Sequence, residues 1–151
     1  MATKTNAVRL VQQAGIPCRE AFYEFDERDL SGVHAAQAVG MPEEQVFKTL
    51  VARGEKTGIN VFCIPVCCEL DLKKAAKAAG DKNMELVAVK ELLGLTGYIR
   101  GGCSPVGMKK RYPTFIDETC TLWDEIAVSA GARGHPVSYT HLRAHETRHD
   151  L

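Results

Sequence analysis

Two apolar segments separated by a short glycine-flanked turn place the tightest constraint on the fold. They cover residues 46–51 and 59–66. Each is far shorter than a membrane-spanning helix and is rich in β-branched and aromatic residues, so each predicts a buried strand. Gly54 and Gly58 bound the turn between them, and Pro65 predicts that the second strand ends or lies at an edge there.

Helix signals surround these strands without a regular βαβ alternation. Thr5 is a candidate N-cap for a helix that Gly15 ends, and Asp71 caps an alanine-rich helix that Gly80 ends. The remaining predicted elements are an extended segment over 18–25, a helix over 32–39 capped by Ser31, a short helix over 87–93, and strands over 114–117 and 125–129. This mixture favours the α+β class.

Length and charge limit the classes of function. A chain of 151 residues suits one domain, and 45% hydrophobic with 25% charged residues is typical of a globular protein. The formal net charge of zero argues against a large RNA-binding surface, although it allows an enzyme that holds one end of an RNA. Arg9 interrupts any signal-peptide core near the N-terminus, so a cytoplasmic protein without a membrane partner is expected.

The six cysteines predict no metal or redox site. They stand at positions 18, 63, 67, 68, 103 and 120, and no CxxC spacing occurs. An H-E-x-x-H string occurs only at residues 145–149, within the C-terminal stretch that we interpret as a non-native tail. We therefore expect free, mostly buried thiols, no metal and no cofactor.

The composition changes at residue 137. Three of the five histidines fall within the last 11 residues, and residues 137–147 show no helix or strand period. This stretch resembles a translated frame of a transposon-type sequencing adapter. We therefore expect a domain over residues 1–136, followed by a non-native tail over residues 137–151 that takes no part in the fold.

Lys48 lies within the first apolar segment, between Phe47 and Leu50. Such a lysine either extends to water from a strand end or lies in a semi-apolar pocket, where it would bind an anion or a developing oxyanion.

A glycine-rich loop and a serine are further candidates. In the run Gly101-Gly-Cys-Ser-Pro-Val-Gly107, consecutive N–H groups could bind an anion, although a plain tight turn also explains the glycines. Ser129 follows an apolar strand and could lie at a pocket mouth, but it lacks the G-x-S-x-G setting of an esterase nucleophile.

Taken in order, several segments resemble the YbaK/EbsC family of Cys-tRNA(Pro) deacylases. The resemblance runs from residue 5 to residue 134, and its motifs also occur in the editing domain inserted in prolyl-tRNA synthetases. The segments that carry it are residues 46–50, 71–76, 96–98, 101–111 and 128–134.

The resemblance implies an α+β fold with a mixed, barrel-like central sheet and flanking helices. It implies that Lys48 is the catalytic residue and that Tyr23, Gly101, Gly102 and Ser129 bind substrate. The family continues past the serine loop with a further strand and helix, so a C-terminally truncated domain is expected. Some members carry an aromatic residue where this chain has Ser31.

The implied reaction is deacylation of mischarged Cys-tRNA(Pro), in which the substrate thiol attacks its own ester. The implied partner is the acceptor end of tRNA(Pro), and prolyl-tRNA synthetase is a candidate partner. Two alternatives stay open, namely Ala-tRNA(Pro) editing by water attack and a non-catalytic module that binds the tRNA end.

Overall fold

The computed structural model describes residues 5–25, 28, 33–139 and 148–149. The helices are α1 (Asn6–Gln13), α2 (Val33–Val39), α3 (Leu72–Ala79) and α4 (Leu92–Thr96). The strands are β1 (Cys18–Glu20), β2 (Phe47–Gly54), β3 (Gly58–Pro65), β4 (Met84–Leu86), β5 (Thr114–Asp117), β6 (Ile126–Ala132), β7 (His135–Tyr139) and β8 (Arg148–His149). Short 3₁₀ helices cover Glu43–Gln45, Val89–Glu91 and Glu118–Leu122.

The caps predicted from the sequence hold two of these helices in place. The Thr5 hydroxyl accepts a hydrogen bond from the N–H of Val8 at the start of α1. The Asp71 carboxylate accepts from two N–H groups in the first turn of α3, and Gly80 ends that helix in the left-handed conformation.

The predicted strand pair forms the centre of a five-stranded sheet with the order β4-β2-β3-β5-β8. β2 and β3 are antiparallel, whereas β5 runs parallel to β3, so this sheet is mixed. A second, antiparallel sheet has the order β1-β7-β6. The α+β class and the mixed sheet are therefore confirmed.

The barrel-like closure expected from the resemblance is not complete within the described residues. The two sheets are joined by a single bridge between Val46 and Ala127. β4 pairs with β2 only from Ala52 to Gly54, so the preceding half of that edge of β2 has no adjacent strand in this part of the chain. Among the described strands, neither β4 nor β6 pairs with residues 47–51 of β2.

The two largest of the four apolar clusters in the described residues stabilise most of the domain. One lies between the sheets and α1 and includes Val8, Phe47, Ile126 and Tyr139. The other lies between β2, β3 and α3 and is centred on Phe62. Within the described ranges, no helix is long and apolar enough to cross a membrane.

The structure corrects the expected limit of the folded region. Residues 137–139, which we expected to take no part in the fold, belong to β7, where Val137 and Tyr139 are fully buried. They pair with both β1 and β6. The sequence of this short segment shows no strand period. It is held as a strand by its pairing with β1 and β6, which could not be seen from the sequence. Residues 140–147 lie outside the described residues.

Smaller differences concern element limits. The extended segment predicted over 18–25 is a strand only at its start, and the helix predicted over 87–93 is split into a 3₁₀ helix and α4. Ser31, the predicted cap of α2, lies outside the described residues.

Candidate active site

A cavity of about 790 Å³ lies along the open edge of β2. Its walls come from β2, the glycine loop, α4 with the 3₁₀ helix before it, and the β6–β7 hairpin. Four of the five predicted site residues line it, namely Tyr23, Lys48, Gly101 and Ser129. They come from separate parts of the sequence, so only the fold brings them together.

Lys48 enters the cavity from β2, where it pairs with Ile64 of β3. Its side chain is half-buried, whereas the preceding Phe47 is fully buried in the core. No carboxylate of the described residues forms an ion pair with its ammonium group. A cation in this position is available to an anionic ligand.

The glycine loop reaches the cavity through a turn. Gly101 has a φ of +86°, a conformation that favours glycine, and the N–H of Gly102 donates to the carbonyl of Ile99 at 2.9 Å. That N–H is therefore not free to bind a ligand. Of the anion-binding N–H groups expected in this loop, the one at Gly102 is already paired.

Gly102 is not among the residues that line the cavity; it packs behind it. A Cβ atom on this residue would lie 3.0 Å from the backbone nitrogen of Arg133. Arg133 also donates from Nε to the carbonyl of Arg100 at 2.8 Å. The absence of a side chain at Gly102 thus lets the loop lie directly against the β6–β7 turn.

Ser129 marks an irregularity in β6. The pairing with β7 shifts register between Ser129 and Ala132, and the Ser129 hydroxyl oxygen accepts a hydrogen bond from the N–H of Gly131 at 3.2 Å. Such bulges turn side chains out of the regular alternation of a strand, which here directs Ser129 to the cavity.

Tyr23 is held at the cavity by its backbone. Its N–H donates to the carbonyl of Gly134 at 2.9 Å, which continues the pairing of β1 with β7. Its ring lies 6.2 Å from the ring of His34 in α2, centroid to centroid.

The charge of the cavity is one-sided. Arg28, Lys48 and Arg100 line it, and no aspartate or glutamate does so among the described residues. The cavity thus suits an anionic ligand, even though the whole chain has no net charge. Sequence reasoning missed both arginines because neither belongs to a motif.

The cysteine that lines the cavity is a weak candidate nucleophile. Cys103 is buried, and its burial raises the pKa of the thiol to about 11 although a hydrogen bond to Thr96 lowers it. At neutral pH the group is a protonated thiol rather than a thiolate. The described residues contain no cluster of three His, Cys, Asp or Glu side chains that could hold a metal ion.

Sequence reasoning also missed His135, because it lies next to the limit expected for the domain. It lines the cavity, is only 5% exposed, and lies with Nε2 2.9 Å from a carboxylate oxygen of Glu20. One face of its ring stacks on Phe22, with centroids 4.2 Å apart. These contacts fix the imidazole in the wall.

The chain is similar in sequence to a family of editing domains and to a relative named as a deacylase. The family model described as the aminoacyl-tRNA editing domain matches residues 31–142. EbsC of Enterococcus faecalis, whose name marks it as a candidate Cys-tRNA(Pro)/Cys-tRNA(Cys) deacylase, is 49% identical over 134 residues, which cover 89% of this chain and 82% of EbsC.

Solved structures show the same fold. A candidate trans-editing enzyme for prolyl-tRNA synthetase is 26% identical with a TM-score of 0.81, over 100% of this chain and 98% of the other. The hypothetical protein APE2540 has a TM-score of 0.83 at 21% identity, over 96% of this chain and 98% of the other.

Proposed function

The chain belongs to the aminoacyl-tRNA editing domain family, and from this premise we propose that it removes cysteine from mischarged Cys-tRNA(Pro). Editing by deacylation follows from the family. The choice of cysteine rests on the name of the relative EbsC and on the chemistry of the cavity. The single observation that carries the proposal is a cavity that combines three cationic side chains with a cysteine, Cys103, whose thiol is protonated at neutral pH.

The cationic lining suits the end of an aminoacylated RNA. The aminoacyl ester is joined to a ribose whose phosphate is negatively charged, and cationic side chains attract such a group. Lys48 would hold the acylated 3′ end, and Arg28 and Arg100 would meet the adjacent backbone. A small contact of this kind is compatible with a net charge of zero.

In the proposed reaction, the substrate supplies the nucleophile. The sulfur of the esterified cysteine attacks its own carbonyl carbon and forms a tetrahedral oxyanion. The ester C–O bond then breaks, and the ribose oxygen takes up the proton from the thiol. The products are a cysteine thiolactone and free tRNA. Water opens the thiolactone to cysteine afterwards.

The protein would contribute orientation and charge stabilisation. Holding the thiol against its carbonyl is worth on the order of 7 kcal/mol or more when the alignment is good. The Gly101 N–H and the Lys48 ammonium are the candidate donors to the oxyanion, since the Gly102 N–H is already paired with Ile99. The Ser129 hydroxyl would orient the aminoacyl group, and Tyr23 would close the pocket over it.

The protein's own groups make the alternative mechanisms less favourable. The Cys103 thiol is protonated at neutral pH. His135 is buried, and its Nε2 lies against Glu20, so it does not present that nitrogen to a water in the cavity. Ala-tRNA(Pro) editing by water attack needs a group that accepts a proton from the attacking water.

The proposed partner is the acceptor end of tRNA(Pro), and prolyl-tRNA synthetase is the proposed source of the mischarged substrate. A substrate made during translation places the reaction in the cytoplasm. The structural similarity to a candidate trans-editing enzyme for prolyl-tRNA synthetase supports this setting.

A deacylation assay with Cys-, Ala- and Pro-charged tRNA(Pro) tests the proposal. We expect rapid loss of the cysteine ester and little loss of the other two. Faster loss of alanine would favour water attack instead. Tight binding of charged tRNA without ester loss would show a binding module and would contradict the proposed activity.

A further inference from the structure

Phe22 is an exposed aromatic residue next to two residues that line the cavity, Tyr23 in sequence and His135 in space. It follows the last residue of β1 by two positions and is 55% exposed, while the neighbouring Tyr23 lines the cavity. One face of its ring lies on the imidazole of His135. Because that face is covered, the exposed area must belong to the opposite face and the edges of the ring.

The backbone on both sides of Phe22 is fixed. The N–H of Ala21 donates to the carbonyl of Pro136 at 3.0 Å, and that of Tyr23 donates to Gly134 at 2.9 Å. Phe22 therefore stands opposite His135 in a non-hydrogen-bonded position of the extended β1–β7 pair, where cross-strand side chains approach most closely.

The imidazole beneath the ring is fixed as well. His135 is buried and lies with Nε2 2.9 Å from the Glu20 carboxylate, two residues before Phe22 on the same face of the strand. Glu20, His135 and Phe22 thus form a stacked unit in which each member restrains the next. A restrained ring with one open face loses little conformational freedom when a second planar group stacks on it.

The chemistry next to this open face favours a nucleobase as the planar group. His135 lines the cavity, and the cavity presents Arg28, Lys48 and Arg100 with no carboxylate among its described lining residues. A ligand that combines negative charge with a flat, uncharged ring matches both features. Single-stranded RNA is bound in this way, by cations along the backbone and aromatic side chains against the bases.

We infer that Phe22, supported by His135 and Glu20, is a stacking platform for an unpaired base at the 3′ end of the RNA whose ester enters the cavity. The inference rests on the proposed function for the identity of the ligand. It makes Phe22 a substrate-binding residue that acts on affinity and not on the chemical step.

Steady-state kinetics with a Cys-charged acceptor-stem RNA tests the inference. Phe22→Leu removes the aromatic face and should raise KM on the order of tenfold with kcat unchanged, since stacking of one base is worth roughly that factor or more. Phe22→Trp should keep KM near the native value. Leu122→Ala is the control, because Leu122 is 73% exposed and does not line the cavity.

Abasic RNA separates stacking from a structural role. With the native protein, an abasic nucleotide at the terminal or the penultimate position should raise KM by a similar factor. Phe22→Leu should then add nothing further on the RNA that lacks the stacked base. An unchanged KM with both abasic RNAs overturns the inference, as does an equal effect of Phe22→Leu on intact and abasic RNA.

A binding measurement keeps the test independent of catalysis. Trp123 is the only tryptophan, so Phe22→Trp in a Trp123→Phe background gives a single reporter. Uncharged RNA ending in unpaired bases should quench its fluorescence, and the abasic RNA should not. If no charged tRNA is hydrolysed but this quenching is seen, the proposed activity fails while the platform stands. No quenching with either RNA overturns the platform.

Discussion

The two ends of β2 border two concave surfaces that differ in the charged side chains that line them. At the Lys48 end, the cavity has three cationic side chains and no carboxylate among its described lining residues. At the Gly54 end, a second surface is lined by Glu55, Glu85 and Glu91 together with Arg53. Both surfaces border the same strand, so the difference in charge comes from the side chains that surround its two ends.

At the Gly54 end, three of the four charged side chains have a partner within that surface. Arg53 donates to Glu91 at 3.1 Å, which together with the N–H of Ala88 lowers the pKa of that carboxyl. Glu55 accepts from the side-chain amide of Asn83 at 2.9 Å. At the other end, Lys48 has no such partner among the described residues. The net charge of zero therefore does not describe the charge of each surface. Arg53 and Glu91 bind each other, whereas Lys48 is available to a ligand.

Removal of one lysine from the cationic end should have the largest effect. We predict that Lys48→Ala lowers the deacylation rate by at least about 100-fold, because the substrate loses its main cationic contact, while the protein stays folded. Single-turnover rates and thermal unfolding measure the two properties. A folded variant with a near-native rate would contradict the role of Lys48.

The matched control removes a cation from the other end of the same strand. Arg53→Ala takes away one side of an exposed ion pair, so it should cost at most about 1 kcal/mol of stability and leave the rate within about twofold. A large loss of activity in Arg53→Ala would break the distinction between the two surfaces.

The wall of the cationic cavity depends on β7. Tyr139 is fully buried beneath that wall, so Tyr139→Ala should lower the free energy of unfolding by about 3–5 kcal/mol and the thermal midpoint by about 10 °C or more. A chain that ends after residue 136 should be destabilised at least as much. Equal stability of that short chain and the full chain would show that residues 137–139 contribute nothing.

The sequence predicted the parts of the structure that depend on local chemistry. The strand pair, the caps at Thr5 and Asp71 and the α+β class all followed from residue type and spacing. Lys48 was identifiable because a charge inside an apolar strand is unusual. The roles assigned to it and to Tyr23, Gly101 and Ser129 stay predictions.

What could not be predicted depends on contacts between distant segments. The cationic lining was hidden because Arg28 and Arg100 lie in separate loops. Gly102 could not be distinguished from Gly101 until the β6–β7 turn was seen to lie against it. That the tail is non-native also stays a prediction, although its first three residues belong to β7.

A carboxylate beside the Gly54 end of β2 gives a prediction about how the stability of the protein depends on pH. Partial desolvation raises the pKa of the Asp81 carboxyl, but hydrogen bonds from the Thr57 hydroxyl and from three backbone N–H groups outweigh it and hold that pKa well below its usual range. The unfolded chain therefore binds the proton more readily, and the stability that Asp81 contributes is present at neutral pH and lost as the pH falls below about 4.

Asp81→Asn should show this dependence directly. The variant should have a lower urea midpoint than the native protein at pH 7, because an amide cannot accept the same set of hydrogen bonds. The difference between the two urea midpoints should be smaller at pH 3. Glu85→Gln neutralises a carboxylate of β4 that has no hydrogen bond in the described structure, and it should change the urea midpoint little at either pH. If the difference in urea midpoint is the same at both pH values, Asp81 is not the source of the pH-dependent stability.

We expect the smallest effect on the rate from replacing Cys103, the cysteine that lines the cavity. This measurement decides whether the protein or the substrate supplies the nucleophile. Cys103 lies where a protein nucleophile would have to be, but burial raises the pKa of its thiol to about 11. If the cavity acts only by charge and orientation, Cys103→Ala should keep the rate within about threefold. Replacing the esterified cysteine by serine should slow the reaction strongly, because a hydroxyl is a far weaker nucleophile at neutral pH. The two measurements have opposite outcomes when the protein supplies the nucleophile: Cys103→Ala is then inactive, and Ser-tRNA(Pro) is cleaved as fast as Cys-tRNA(Pro).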